Sequence, residues 1–276
     1  MLSIIISSYQ SYYFSVLEKN IEETCGIEYE IIKITNPNLM GICKAYNIGG
    51  VKAKYDNLLF LHEDVIFHTQ NWGNTLVKYF ENQKYGVVGI AGSDYVPYVP
   101  SGWFVDSNVS KLHLIQSNKK GRVEVFNKRN FGDNKQYENV YSLDGVFMAC
   151  RKKVFENFKF NESLNKFHAY DTDFSLRVAS KYWNIVTGEI LIEHFSEGNA
   201  DEIWFKETIK ARGFYKTPKG QINNKKIEFS KFNGFVEQMK KFNFSKRQRF
   251  LLIVKYYSIR KVGIKNTLKI LYLNIK

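Results

Sequence analysis

The chain has 276 residues, of which 44% are hydrophobic and 16% aromatic, enough to bury a large core and to exclude a disordered chain. The formal net charge of +13 is concentrated at one end, because residues 1–210 carry 23 Lys and Arg against 25 Asp and Glu, whereas residues 211–276 carry 17 against 2. A basic tail of this kind is typical of segments that meet phosphates, in nucleic acid or on anionic lipid headgroups.

The cysteine pattern and the hydropathy of the sequence indicate in which cellular compartment the protein is expected. Cys25, Cys43 and Cys150 lie in or beside apolar segments and form no CxxC pair, which predicts buried free thiols and a reducing, cytoplasmic compartment. The opening stretch MLSIIISSYQ has about five apolar positions and no basic residue before them, too few for a signal peptide. No other stretch reaches the roughly 18 apolar residues of a membrane span. We therefore expect a soluble or peripheral protein.

The first hundred residues alternate between short apolar runs and amphipathic stretches, which predicts a mainly parallel sheet with crossover helices. Leu2–Ser8 shows no polar alternation, as expected of a strand buried on both faces. Strands and helices alternate in the order Leu2–Ser8, 11–24, Tyr29–Thr35, Gly41–Lys54, Asn57–Leu61, Trp72–Asn82 and Gly86–Ala91.

The rest of the chain is less regular. Residues 92–140 contain Pro97, Pro100 and a polar stretch, which predicts loops and a hairpin. An apolar run, a helix opening near Lys153, a helix over 170–182 and a short strand over 190–194 follow. After Gly198 we expect basic helices to the end of the chain.

Polar side chains follow the predicted strands. In an open α/β sheet, ligands bind beyond the carboxyl ends of the strands. Those ends carry Ser7-Ser8-Tyr9, Thr35-Asn36, His62-Glu63-Asp64, Gly92-Ser93-Asp94 and Glu193-His194. Carboxylates there suit Mg²⁺ or Mn²⁺ bridging phosphates, and an imidazole such as that of His194 favours Mn²⁺. Because side chains alternate along an extended segment, His62 and Asp64 share one face and Glu63 takes the other.

Several segments, in order along the chain, resemble the GT-A fold glycosyltransferases of the family 2-like group, which are bacterial nucleotide-sugar transferases. The similar segments are SIIISSY, GICKAYNIGGVKAKYDNLLFLHEDV, LDGVFMACRKKVFE, FHAYDTDFSLRVASKYW and EILIEHFSEG. His62-Glu63-Asp64 takes the place of the DxD motif, with His62 where the family has an Asp. The resemblance implies an α/β, Rossmann-like, mixed and mainly parallel sheet flanked by helices over residues 1–210, with a basic helical extension over 211–276.

The resemblance also implies an activity and its residues. It implies a metal-dependent, inverting transferase that moves a sugar from a nucleotide-diphosphate sugar to a hydroxyl of a glycan or lipid-linked acceptor, in bacterial surface polysaccharide synthesis. Asp64 and His194 are the expected ligands of Mn²⁺ or Mg²⁺, and Asp171 is the expected base, with Asp173 as its competitor. The expected donor contacts are Ser7, Ser8, Tyr9, Asn36, Asn47, His62 and Glu63. The expected acceptor contacts are Trp103, Asp144, Gly145 and His168, although Trp103 could equally pack in the core and Asp144 could cap a turn.

Two other functions stay open at this point. A nucleotidyltransferase would also use an α/β sheet, carboxylates and Mg²⁺, but it needs a Gly-rich basic loop after the first strand, and SSYQSYYF is neither. A non-enzymatic protein could bind membrane or nucleic acid through its tail, and nothing in residues 1–210 supports nucleic acid. The basic and apolar segment 244–276 could lie on the inner face of a cell membrane or pack on the domain.

Overall fold

The computed structural model describes residues 1–118, 121–196, 198, 200–267 and 269. The strands are β1 (Leu2–Ser8), β2 (Tyr29–Thr35), β3 (Asn57–Leu61), β4 (Val65–Phe67), β5 (Tyr85–Gly89), β6 (Ala91–Ser93), β7 (Ser110–Ser117), β8 (Val123–Arg129), β9 (Tyr137–Val140), β10 (Ser142–Leu143), β11 (Phe147–Arg151), β12 (Trp183–Thr187) and β13 (Ile192–Phe195). The helices are α1 (Ser11–Thr24), α2 (Ile42–Lys52), α3 (Trp72–Tyr79), α4 (Lys152–Phe158), α5 (Tyr170–Val178), α6 (Glu202–Ala211), α7 (Lys225–Lys241), α8 (Lys246–Tyr256) and α9 (Ile259–Val262).

Seven strands form one large sheet in the order β2-β1-β3-β11-β5-β12-β9. β1 is parallel to β2 and β3, and β12 is parallel to β5. β11 is antiparallel to both β3 and β5, so β3 and β5 point the same way. Five of the seven strands therefore share one direction, and their carboxyl ends lie at one edge.

The large sheet is covered on both faces, which explains the unbroken apolar run of β1. Ile4 and Ile6 point into one core cluster together with Leu17 of α1. Ile5 points the other way, into a second cluster with Tyr46 of α2. Successive strand residues face opposite sides, so both alternating sets must be apolar.

A second sheet has the order β10-β6-β7-β13-β4, with β8 paired to β7. Its strand β4 begins at Val65, directly after the polar end of β3, so the chain passes from the large sheet to the small one within residues 62–64. β13 is antiparallel to β4 and places His194 opposite Val65. Two distant segments of sequence thus meet at the junction of the two sheets.

The alternation predicted for the first hundred residues is confirmed, and the differences lie further along. The expected helix over 170–182 ends at Val178, and the strand Trp183–Thr187 was not expected. That strand is held by tertiary contacts, because the buried Asn184 amide donates to the carbonyls of Tyr141 and Ser175. The expected strand Gly86–Ala91 is divided between β5 of the large sheet and β6 of the small one.

The basic helices after Gly198 pack on the rest of the chain. Phe205 of α6, Phe235 of α7 and Tyr256 of α8 share a third apolar cluster with Val99. Tyr95 donates a hydrogen bond of 2.8 Å to the buried Glu228 of α7. In the part of the chain that the structure describes, no helix is both long and apolar enough to cross a membrane.

Candidate functional site

A cavity of about 410 Å³ opens beside the junction of the two sheets. Its lining includes the polar end of β3, the loop after β1, the start of α2, the segment before α5 and the end of β13. The lining residues are Ser7, Tyr9, Gln10, Asn38, Ile42, Tyr46, His62, Glu63, Asp64, Phe167, His168, Tyr170 and Ser196. Among the described lining residues there is no Lys or Arg, so the cavity wall supplies no permanent positive charge.

Three side chains at the junction form a group that could hold a metal ion. One ligand atom each from His62, Asp64 and His194 lie within 4.8 Å of one another. The Oδ1 atom of Asp64 is 3.8 Å from Nδ1 of His62 and 3.6 Å from Nε2 of His194. His62 and Asp64 share a face, as the alternation of side chains predicts, and the pairing of β13 with β4 brings in His194.

Each imidazole is oriented by a hydrogen bond on its far nitrogen. Nε2 of His62 lies 2.7 Å from the hydroxyl of Tyr170, and Nδ1 of His194 lies 3.3 Å from Oε1 of Gln116. An amide oxygen only accepts, so Nδ1 of His194 donates to Gln116 and its Nε2 faces Asp64. That Nε2 is buried and has no hydrogen-bond partner among the described residues. A buried imidazole nitrogen without a hydrogen-bond partner, beside a carboxylate, is an arrangement that a cation would complete.

The charge states of the group fit the same role. Burial lowers the pKa of His62, which favours the neutral imidazole that a metal needs. Burial alone would raise the pKa of Asp64, but the neighbouring imidazoles of His194 and His62 hold it below its ordinary value. At neutral pH the group is therefore a carboxylate with a neutral His62.

Glu63 points away from this group, to the loop after β1. Its Oε1 accepts hydrogen bonds from the backbone N–H groups of Tyr9 and Gln10, at 3.1 and 3.0 Å. Its Oε2 is buried and unpaired within the described chain. Glu63 thus fixes the loop that forms one wall of the cavity.

Two carboxylates, those of Asp171 and Asp144, lie near Tyr170 and near each other. Burial, followed by the nearby negative charge of Asp144, raises the pKa of Asp171 to about 7. The backbone N–H of Thr172 donates to Asp171 at 2.7 Å, and Asp144 accepts from Val146 at 3.1 Å. A carboxyl group with a pKa near neutrality is suited to proton transfer.

Gly145 leaves space for the side chain of Tyr170 beside His62. A Cβ at Gly145 would lie 2.1 Å from the hydroxyl oxygen of Tyr170, closer than any real contact. Only glycine therefore leaves Tyr170 room to reach His62. The metal candidates and Asp171 are connected through this one tyrosine.

The cavity brings together six of the predicted site residues and leaves others outside its lining. Ser7, Tyr9, His62, Glu63, Asp64 and His168 line it. Asp173 is fully buried and pairs with Arg177 at 2.8 Å, remote from solvent. Trp103 packs against the core cluster of the large sheet.

Two residues predicted to contact the donor, Asn47 and Asn36, act as internal clips, by which we mean that their side-chain amides hydrogen-bond to neighbouring loops of the chain. Asn47 donates to the carbonyl of Phe160 and accepts from its N–H, both at 2.9 Å. Asn36 donates to Oγ of Ser7 at 3.2 Å and exchanges two hydrogen bonds with the backbone of Met40. Ser8 is buried beside them. These residues shape the loops around the cavity.

The strand end Gly92-Ser93-Asp94 lies in the small sheet and does not join the cavity. Its Asp94 pairs with Lys111 at 3.1 Å.

The sequence analysis did not identify two residues that contact the imidazoles of the candidate metal group. Tyr170 precedes the predicted base directly and could have been found from that position, whereas Gln116 lies in the irregular segment and carried no signal.

Comparison with known proteins gives a family match for the sequence and a solved structure of similar fold. Residues 3–229 match a family described as glycosyltransferase-like. No curated protein was found to match the sequence. The fold is similar to that of GalNAc-T7 solved with UDP, GalNAc and Mn²⁺, with a TM-score of 0.53, 11% identity and a match over 76% of this chain and 47% of that one. The chain thus spans about half the length of GalNAc-T7.

A second solved structure, S. aureus TarS 1–349 in complex with UDP, gives a TM-score of 0.49 and 12% identity over 90% of this chain and 74% of that one. The similarity to GalNAc-T7 confirms the GT-A fold. The family match covers most of the sequence. The chain therefore belongs to this glycosyltransferase-like family.

Proposed function

We propose that the protein is a metal-dependent, inverting glycosyltransferase that takes a sugar from a nucleotide-diphosphate sugar. The observation that carries the proposal is the group of His62, Asp64 and His194, of which His62 and Asp64 line a cavity whose described lining lacks Lys and Arg. A departing nucleotide diphosphate is an anion, and the described lining offers it no Lys or Arg side chain. A cation held by this group would supply the missing charge.

The donor set favours Mn²⁺ over Mg²⁺. Two imidazoles and one carboxylate suit a transition metal, whereas Mg²⁺ prefers oxygen ligands and retained waters. The unpaired Nε2 of His194 supports the fit. When bound, such an ion acts as a Lewis acid that stabilises the leaving diphosphate.

Asp171 is the proposed base. Its carboxylate takes the proton from the acceptor hydroxyl while that oxygen bonds to the anomeric carbon and the bond to the diphosphate breaks. Asp171 lies on α5, next to Tyr170 of the cavity lining and on a different element from the metal candidates, so the base can be separate from the group that holds the leaving diphosphate. The raised pKa of Asp171, about 7, suits reversible proton uptake near neutrality. Asp144, whose charge acts on Asp171, is the proposed acceptor contact next to it, with Gly145 and His168.

The acceptor that we propose is a glycan or lipid-linked hydroxyl in the synthesis of a bacterial surface polysaccharide. The family resemblance supports this setting. The three cysteines are free and buried, in keeping with a reducing cytoplasm where the donor would be used. The remaining donor contacts that we propose, Ser7 and Tyr9, lie on the cavity wall that Glu63 holds in place.

A binding screen tests the proposal. Nucleotide-diphosphate sugars carrying UDP, GDP or dTDP, with a CMP-sugar as the monophosphate comparison, are titrated by calorimetry with Mn²⁺, with Mg²⁺ and with a chelator. We expect one donor class to bind with Mn²⁺, Asp64→Ala to abolish that binding, and Asp94→Ala to preserve it, because Asp94 is a strand-end carboxylate outside the cavity. Failure of every donor to bind the wild type, or equal binding by Asp64→Ala, would refute the proposal.

A further inference from the structure

Helix α8 has two apolar sides, and only one of them is covered. Leu252, Ile253 and Tyr256 pack into the cluster that joins the basic helices to the rest of the chain. Phe250, Leu251 and Val254 are 66%, 57% and 63% exposed. At 3.6 residues per turn these three fall within about one third of the helix circumference, opposite the packed side. The exposed stripe is therefore additional to what the fold needs.

Cations border this stripe. The outer face of α8 consists of Lys246, Arg247, Phe250, Leu251, Val254 and Lys255. Its three cations are exposed, and none is ion-paired within the described residues. The sequence has no Asp or Glu after Glu237.

The same pattern continues beyond the helix. Ile259 and Ile264 are exposed, and each is followed by an exposed cation, Arg260 and Lys265. Exposed apolar side chains with a cation next to them in sequence thus occur after α8 as well as on it.

We propose that the outer face of α8 docks on a membrane surface that contains anionic lipids. Apolar side chains on such a face enter the boundary between headgroups and acyl chains, while flanking cations meet the headgroup phosphates. Docking on an anionic membrane needs both apolar side chains and cations, and the outer face of α8 supplies both. The absence of a spanning helix in the described chain fits a protein that lies on the surface.

Two other occupants fit the observations less well. Nucleic acid would use the cations, but its phosphates gain nothing from Leu251 and Val254. A second copy packed symmetrically would cover the stripe, but it would set the cations of one face against those of the other. An anionic bilayer satisfies both the charge and the apolar area.

The docking surface is separate from the cavity and goes beyond the proposed transfer reaction. Its test is vesicle sedimentation of the full chain, with phosphatidylcholine vesicles that either contain or lack phosphatidylserine, at about 0.15 M salt. One variant is Lys246→Gln/Arg247→Gln/Lys255→Gln, and a second is Phe250→Ser/Leu251→Ser/Val254→Ser. The matched control is Lys19→Gln/Lys153→Gln/Lys181→Gln, which removes three exposed lysines from elsewhere on the chain.

We expect the wild type and the control to sediment with phosphatidylserine vesicles only. Each cation near an anionic surface contributes about fivefold in affinity, so the triple Gln variant should bind about 100-fold more weakly. The triple Ser variant should also lose binding, and both variants should keep the wild-type melting temperature because they change exposed side chains.

Four results would overturn the inference. The first is no binding to phosphatidylserine vesicles, and the second is equal loss of binding in the control variant. The third is vesicle binding that survives in the triple Ser variant, and the fourth is a dimer of the wild type that only the triple Ser substitution dissociates. Asp64→Ala separates this test from the proposed function, since it should lose donor binding and still sediment with vesicles.

Discussion

The pKa of Asp171 predicts how the transfer rate depends on pH. Burial and the charge of Asp144 place this pKa at about 7. A base must be ionised to accept a proton, so activity is lost as pH falls through this value. A group with that pKa is roughly one tenth ionised at about pH 6 and nine tenths at about pH 8, so kcat should rise about tenfold over this range.

The assay is a steady-state transfer reaction at saturating donor and Mn²⁺, so that proton competition for the imidazoles does not limit the rate. Asp144→Asn removes the neighbouring negative charge, which lowers the pKa of Asp171. The rising limb of the plot of kcat against pH then moves to lower pH. Asp171→Asn should reduce kcat by about 100-fold or more and abolish the limb, while donor affinity stays unchanged.

Asp173→Asn is the control. Asp173 is buried against Arg177, so its variant should lower the melting temperature and leave the position of the limb unchanged. Asp171 is not the base if the wild-type rate is flat between about pH 6 and 8, if Asp144→Asn leaves the limb in place, or if Asp173→Asn rather than Asp171→Asn removes it.

Three further predictions concern the metal group and a structural clip. Tyr170→Phe removes the hydroxyl that orients His62, so Mn²⁺ affinity measured by calorimetry should fall about tenfold, and unchanged affinity would contradict this role. Mn²⁺ at about 100 times its Kd should stabilise the wild type by about 2.7 kcal/mol and raise its melting temperature, and an equal rise in Asp64→Ala would place the ion elsewhere. Asn47→Leu leaves both backbone groups of Phe160 unpaired, so urea denaturation should show a loss of about 1–3 kcal/mol, and an unchanged midpoint would speak against the clip.

The alternating α/β order could be predicted because it depends on local burial patterns. The apolar run of β1 and the amphipathic spacing of α1 each follow from which faces are covered. The insertion of β11 between β3 and β5 could not be predicted, since the choice of pairing partner depends on segments far apart in sequence. For the same reason β12 was missed, because its Asn184 is fixed by carbonyls of distant residues.

The site could be predicted in part. His62, Asp64 and His194 stand at predicted strand ends, and the fold brings them together. Gln116 could not be found, since it acts through a single contact with His194 from a segment without a periodic pattern. The roles of Asn36 and Asn47 depend on which backbone groups they face, and sequence spacing does not encode that.

The junction of the two sheets also has a consequence for biosynthesis. His62 and Asp64 are made early, but His194 reaches them only through β13, which pairs with β4 and β7. While residue 195 is still inside the ribosome, a nascent chain lacks one of the three candidate ligands and the strand that positions it. The complete candidate group therefore exists only after both sheets have assembled, and a chain that ends before β13 keeps two of its three members.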